Sequence, residues 1–213
     1  MENLDYFFNI VDTRKTNRKY EDYIPPIEDI KRIIDSARLA PSAVNAQNWK
    51  FIAIYNKEIK HKMAQAVLDM YEKISNNLDD KQVVEQIERY KGHSTFFENA
   101  PVVIAAVMTK SPSFLSGVLE MAKFSKEEIE NMRPDSQLLS IGGAIENMAL
   151  SAHALGLGSC WMVAPILAIA KFKEILNLDE TDKVVSLLTI GKPTPSDNRS
   201  PKKNLDEIMT IIK

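Results

Sequence analysis

A basic segment near the amino terminus has the residue types that bind a phosphate group. It reads Arg14-Lys15-Thr16-Asn17-Arg18. In an extended chain Arg14, Thr16 and Arg18 lie on one side, because successive side chains alternate. Guanidinium groups supply paired donors that match phosphate oxygens, so the segment could hold a phosphate and leave one cation for a second task. Charged loop residues usually face water, and a solvated basic turn is the alternative.

A polar loop before a predicted strand is the second candidate. Residues 40–49 read Ala-Pro-Ser-Ala-Val-Asn-Ala-Gln-Asn-Trp. Its small side chains would let the loop approach a flat ring closely, and Ser42, Asn45 or Gln47 could hydrogen-bond the edge of that ring. A turn stabilised by its own asparagine side chains is the alternative.

A glycine-containing passage follows the longest predicted helix. Residues 154–165 include Gly156-Leu157-Gly158 and Cys160. The passage is not the phosphate-binding GxGxxG pattern, which follows a strand and opens a helix, and the sequence has neither a Rossmann fingerprint nor a P-loop. Cys160 has apolar neighbours and is predicted to be inert core, because reactive thiols lie in exposed, electropositive surroundings.

A second basic stretch lies near the carboxyl terminus. Arg199, Lys202 and Lys203 precede a predicted terminal helix. They could return to the anion that the amino-terminal segment holds, whereas taken alone they are typical of a solvated surface.

The order of the predicted helices and strands indicates an α+β fold with a small mixed or antiparallel sheet. Apolar periodicity predicts helices at 4–11, 27–39, within 57–98 and at 135–155. Strand-forming residues predict strands at 49–56, 101–108, 158–163 and 183–190, of which 158–163 has the weakest pattern. Residues 111–133, rich in Met and Phe, are predicted to cover a pocket. We expect one domain over residues 1–213.

The helix at 135–155 is apolar around much of its circumference, which predicts burial at the centre of the molecule or in a subunit interface. Gly142 and Gly143 would each cost about 1 kcal/mol relative to alanine in a helix interior, so we expect them to permit a close backbone approach. Gly156 fits the left-handed position that ends a helix.

Composition excludes several classes of protein. Of the 213 residues, 45% are apolar and 26% charged, which is ordinary for a folded domain, and the net charge of −2 argues against nucleic acid as the main partner. One cysteine and three scattered histidines exclude a disulfide and a Cys/His zinc site. The amino terminus has no secretory signal pattern and no apolar run reaches the roughly 20 residues that cross a bilayer, so a cytoplasmic location is predicted.

Taken together and in this order, these segments resemble the nitroreductase family of FMN enzymes, from Thr13 to about Glu207. The matching passages are the R-[RK]-[ST]-x-R pattern at 14–18, the APSxxNxQPW loop at 40–49 with Asn48 in place of proline, NAPVVI at 99–104, LGLGSCW at 155–161 and the GKP turn at 191–193.

The resemblance implies a homodimer with two FMN molecules in the subunit interface. Arg14, Lys15, Thr16 and Lys202 would hold the FMN phosphate and ribityl chain, with Arg199 and Lys203 as alternatives to Lys202. Arg18 would lie near the pyrimidine edge of the ring. Two further sets complete the implied site: Pro41, Ser42 and Asn45 of the partner subunit, and the main chain of Met162, Val163 and Ala164, with the Val163 amide near flavin N5.

The implied activity is reduction of nitroaromatics, quinones or similar small organic acceptors by NADH or NADPH, in a ping-pong cycle without a catalytic side chain. A family relative that reduces enones or dehydrogenates its substrate is a close alternative. A flavin-binding sensor or storage protein without turnover is another, and a helical scaffold with solvated basic loops is the third.

Overall fold

A computed structural model of the chain describes residues 2–110, 114–132, 135–196 and 201–213. Its helices in chain order are α1 (Glu2–Thr13), α2 (Ile27–Arg38), α3 (Lys57–Ser75), α4 (Lys81–Thr95), α5 (Phe114–Met121), α6 (Lys126–Met132), α7 (Ser136–Ala154) and α8 (Ile169–Ile175). The strands are β1 (Trp49–Ile54), β2 (Val102–Met108), β3 (Gly158–Met162) and β4 (Lys183–Gly191). The predicted α+β class is confirmed.

The four strands form one antiparallel sheet in the order β1-β2-β4-β3. Strand β2 lies inside this sheet and explains the unbroken apolar run of its sequence. Its Val103, Ala105 and Val107 belong to the core that contains α3 and α8. Val102, Ile104 and Ala106 belong to the core on the other face, which contains α2 and α7. A strand buried on both faces needs apolar residues at every position.

Helix α7 has well-defined ends. The Asp135 side chain caps the start by accepting from the amides of Gln137 and Leu138, at 3.0 and 3.1 Å. At the other end Gly156 has φ +75°, and the Leu157 N–H donates to the Ala152 carbonyl over 2.8 Å. This is the closure that a left-handed glycine allows, as predicted for Gly156.

The face of α7 that packs on the sheet is made of small and apolar residues, whereas several positions on its other side are exposed in the described part of one chain. Leu139 is 66% exposed. A Cβ at Gly143 would meet nothing within 4 Å, and one at Gly142 would make an ordinary 3.6 Å contact with Trp161. The close approach expected at these glycines is therefore not formed by the described residues of a single chain.

The predicted terminal helix is wrong. The tail forms only a three-residue 3₁₀ turn at Leu205–Glu207, closed by the Asn204 N–H on the Glu207 carboxylate at 2.8 Å. The following Ile208, Ile211 and Ile212 are exposed. A short helix needs tertiary packing of an apolar face to be stable, and within the described chain this tail has none.

Candidate functional site

The basic segment 14–18 lies against the edge strand β3. Thr16 forms a parallel bridge with Ser159, and the Asn17 N–H donates to the Ser159 carbonyl over 2.8 Å. Gly158 makes this approach possible, because a Cβ there would lie 2.7 Å from the Asn17 side-chain oxygen. The first and third chemical motifs of the sequence thus meet.

Helix α7 flanks the start of the same segment. The Arg14 Nε lies 3.4 Å from Glu146 Oε1, and the Thr13 hydroxyl lies 2.8 Å from His153 Nε2. Burial lowers the pKa of His153, and the charges of Arg14 and Lys15 lower it further. This end of the segment carries the two cations Arg14 and Lys15, and Glu146 offsets part of their charge.

The other end of the segment is tied to the sheet beneath it. The Tyr20 hydroxyl donates to the Asn17 carbonyl over 2.7 Å and lies 2.6 Å from the Thr189 hydroxyl on β4. Burial raises the pKa of the Cys160 thiol, while the charge of Arg18 and a hydrogen bond from it act in the opposite direction. Arg18 is exposed. Cys160 is buried, as predicted.

The start of the carboxyl-terminal tail returns to the basic segment. Lys192 pairs with Glu21 over 2.8 Å, the Thr194 N–H donates to the Lys19 carbonyl over 3.2 Å, and the Lys15 ammonium donates to the carbonyl of Ser196. Of the three candidate cations farther along, Arg199 lies outside the described residues. Lys202 and Lys203 are exposed. The choice of Lys202 stays a prediction.

The polar loop 40–49 is anchored on the first half of α7. The Ala43 N–H donates to the Ser140 hydroxyl over 3.1 Å, and the Ser42 hydroxyl accepts from the Gln47 N–H over 3.0 Å. Val44, Asn45 and Gln47 have φ values of 52°, 55° and 45°. Pro41 and Asn45 are exposed.

Val44 is the unusual member of this loop. It is β-branched, has a left-handed backbone and is 94% exposed. Such a residue costs on the order of 1–3 kcal/mol and persists only where its surroundings impose it, most often at binding sites. Asn48, at the position of the family's proline, is 3% exposed. Its side-chain N–H group has no hydrogen-bond partner among the described residues.

The end of β3 leads into a short turn. Met162 is buried, Val163 is 62% exposed, and Ala164 opens a 3₁₀ turn. Trp161 and Val163 face outward while Cys160 and Met162 face the core, as strand alternation requires.

Within one chain the polar loop and the basic segment contact α7 at different heights. The loop contacts Ser140, and the basic segment and its preceding Thr13 contact Glu146 and His153. At 1.5 Å of rise per residue these contacts lie about 9 and 20 Å apart along the helix axis.

The described ranges lack both a candidate metal site and a candidate membrane-spanning helix. They contain no group of three or more His, Cys, Asp or Glu side chains that could hold a metal ion. Among the helices of those same ranges, none is both long and apolar enough to cross a membrane.

Known proteins decide the family. Residues 11–192 match the profile of the nitroreductase family. The chain belongs to the nitroreductase family. A relative from Archaeoglobus fulgidus, provisionally named an NADH dehydrogenase/NAD(P)H nitroreductase, is 30% identical over 183 residues, which cover 85% of this chain and 82% of that protein.

Solved structures of similar fold differ in their named activity. A BluB-like flavoprotein from Clostridium difficile 630 has a TM-score of 0.88 and 28% identity, covering 97% of this chain and 98% of that chain. Oxidised iodotyrosine deiodinase bound to FMN and 3-iodo-L-tyrosine has a TM-score of 0.67 and 20% identity, covering 93% of this chain and 96% of that chain. The second likeness shows the fold alone.

Sequence reasoning missed four contacts of this site: Tyr20 with Asn17, Tyr20 with Thr189, Arg14 with Glu146, and Thr13 with His153. A partial signal for two of them was available. Glu146 and His153 are seven residues apart, so they share one face of α7. Tyr20 lies two residues after Arg18, and no pattern in the sequence indicated its contacts.

Proposed function

We propose that this nitroreductase-family chain is an FMN-dependent oxidoreductase, which uses NADH or NADPH to reduce small oxidised organic molecules such as nitroaromatics and quinones. The observation that carries the proposal is the seating of the basic segment on Gly158 and Ser159. It brings anion-binding side chains to the strand whose other end leads to the exposed Val163. One elongated ligand with a phosphate and a flat ring fits that arrangement.

The donor set near β3 fits the phosphate end of FMN. Arg14, Lys15 and the Thr16 hydroxyl supply charge-assisted hydrogen bonds to phosphate oxygens and the ribityl chain, and Lys202 adds a fourth donor.

The ring end is served by Arg18 and the turn after β3. Bound FMN would supply two-electron chemistry between the nicotinamide and the acceptor. Arg18 would place a cation near the pyrimidine edge, where it would favour the added negative charge of the reduced state. The main chain of Met162, Val163 and Ala164 flanks the ring. No side chain is assigned as a general acid, and protons come from solvent or substrate.

The same proposal includes a homodimer in which Pro41, Ser42 and Asn45 reach the partner's ring. Within one chain the loop and Arg14 contact α7 about 9 Å apart along the helix axis, and we infer that a second copy brings the loop to the ring. Large apolar side chains left exposed on α1, α7 and the tail support this: Leu4, Tyr6, Phe7, Phe8, Leu138, Leu139, Ile208, Ile211 and Ile212. Exposed apolar surface of that extent marks an interaction site.

The acceptor depends on what covers the ring. Helices α5 and α6 of the insert expose Leu115, Met121 and Met132, and we infer that they line the acceptor side of a single-domain enzyme. Relatives named iodotyrosine deiodinase, 24% identical to this chain, make a different acceptor the second candidate function.

An absorbance spectrum tests the proposal directly. The purified protein, supplied with FMN, is expected to retain a flavin band and to lose it on anaerobic addition of NADH or NADPH. Oxygen-free turnover with a nitroaromatic, a quinone and an enone then ranks the acceptors. A band that survives both nucleotides would favour a sensor or storage protein, and failure to retain FMN would overturn the proposal.

A further inference from the structure

The backbone at Asn17 is held from both sides, immediately before Arg18. Its N–H donates to the Ser159 carbonyl over 2.8 Å. Its carbonyl accepts from the Tyr20 hydroxyl over 2.7 Å. The peptide that joins Asn17 to Arg18 therefore has one orientation relative to the sheet, and the Arg18 side chain leaves the backbone in a defined direction.

Tyr20 is itself immobilised. A Cβ at Gly191 would lie 2.7 Å from Tyr20 Cδ1, which shows how closely the ring packs on the β4 backbone. The Tyr20 hydroxyl has one proton, which it donates in a hydrogen bond to the Asn17 carbonyl. With the Tyr20 proton so placed, the Thr189 hydroxyl, 2.6 Å away, donates to the Tyr20 oxygen. The Cys160 carbonyl, 3.4 Å from the Thr189 hydroxyl, is the weaker of the two acceptors for the Thr189 proton.

Arg18 follows this anchored peptide into contact with the sheet. Burial raises the pKa of the Cys160 thiol, and the charge of Arg18 opposes that rise. Burial raises the pKa of the Tyr20 hydroxyl, and among the opposing effects is the charge of Arg18. Arg18, Cys160 and Tyr20 thus form one cluster beneath the proposed ring site.

We propose that Tyr20 is a positioning residue of the flavin site, whose hydroxyl fixes the Asn17–Arg18 peptide so that the Arg18 guanidinium is held where charge builds on reduction. This inference rests on the proposed function. A cation that is already in place stabilises developing charge better than one that must be ordered during the reaction.

Tyr20→Phe tests the role, because it keeps the ring and removes the hydroxyl. The phosphate contacts of Arg14, Lys15 and Thr16 are untouched, so FMN affinity should change by no more than about threefold. The rate of flavin reduction should fall about tenfold, the size expected for one lost hydrogen bond acting on a charged group. The midpoint potential of bound flavin should become more negative.

Tyr55→Phe is the matched control. The Tyr55 hydroxyl also donates to a backbone carbonyl, that of Pro25, over 3.3 Å, but at the far end of β1. Its reduction rate and potential should equal those of the unaltered protein.

A double-variant cycle separates positioning from general stability. If Tyr20 acts through Arg18, then Tyr20→Phe should have no further effect on the potential or the rate once Arg18→Ala is present. Equal effects of Tyr20→Phe with and without Arg18 would overturn the inference. Should Tyr20→Phe fail to fold, Thr189→Val removes the donor to Tyr20 and serves in the same cycle.

A measurement without flavin keeps the two proposals distinguishable. In the FMN-free protein the Nε–Hε resonance of Arg18 should be sharp, and it should broaden or shift in Tyr20→Phe but not in Tyr55→Phe. If Tyr20→Phe changed neither the Arg18 resonance nor the flavin potential, the positioning role of Tyr20 would be rejected while the proposed function would stand. Failure of the unaltered protein to bind or reduce FMN would instead reject the proposed function.

Discussion

At the scale of single residues, Gly158 decides whether the basic segment can reach β3. A Cβ at this position would lie within 2.9 Å of three Asn17 side-chain atoms. Gly158→Ala should lower the free energy of unfolding by about 1–3 kcal/mol, the usual cost of overpacking, and should weaken FMN binding as the segment shifts. Urea unfolding and FMN titration measure the two effects.

Gly92→Ala provides the comparison for that variant. Gly92 lies inside α4, and a Cβ there would meet nothing within 4 Å. Relief of the helix penalty of glycine should raise the free energy of unfolding by about 0.5–1 kcal/mol. If both variants changed stability in the same direction, the contact between Gly158 and Asn17 would not be the cause.

His153 should make stability depend on pH. Burial and the charges of Arg14 and Lys15 lower its pKa in the folded chain. The unfolded chain, with a histidine pKa near about 6.5, takes up the proton first as the pH falls. The free energy of unfolding should therefore decrease as the pH drops below that value.

His153→Gln isolates this contribution. The difference in unfolding free energy between pH 7.5 and pH 5.5, measured in urea without FMN, should be smaller in the variant than in the unaltered protein. An identical pH dependence would mean that His153 titrates alike in the folded and unfolded chains.

At the scale of elements, α7 carries the test of the subunit contact. A Cβ at Gly143 meets nothing within 4 Å in one chain, as at Gly92, so both alanine variants should stabilise an isolated chain. If a second copy packs closely on α7, Gly143→Ala instead should weaken dimerisation about tenfold or more, because an added methyl group overpacks the interface. Sedimentation equilibrium of the two variants distinguishes these results.

At the scale of the whole molecule, we expect a mass in solution of twice the 24.1 kDa of one chain. Leu139→Asp places a charge on the exposed face of α7 and should shift light scattering toward the monomer, because an unpaired buried charge is costly. FMN affinity should fall with it, since the partner loop is lost. Val83→Asp, on exposed α4, should leave both unchanged. A monomer that binds FMN fully would contradict the interface proposal.

Much of the fold was predictable because it depends on local pattern. Strand β2 appears in the sequence as a continuous apolar run, and α2 as a stripe at Ile30, Ile33 and Ala37, which are all buried. The tail was not predictable in this way. Its Ile208, Ile211 and Ile212 have helical spacing, yet no described part of the chain covers them. Periodicity predicts which face of a helix can be buried, not whether another surface is there to bury it.

Motif spacing and apolar periodicity predicted the family, the α+β class and the residue types of the candidate site, because these patterns are properties of neighbouring residues. Three relations are visible only in the folded chain. Asn17 lies on Gly158, Tyr20 anchors the peptide before Arg18, and the 40–49 loop contacts α7 away from the basic segment. These relations join distant parts of the chain. They depend on how closely two backbones can approach and where one hydroxyl proton is donated, which packing alone determines.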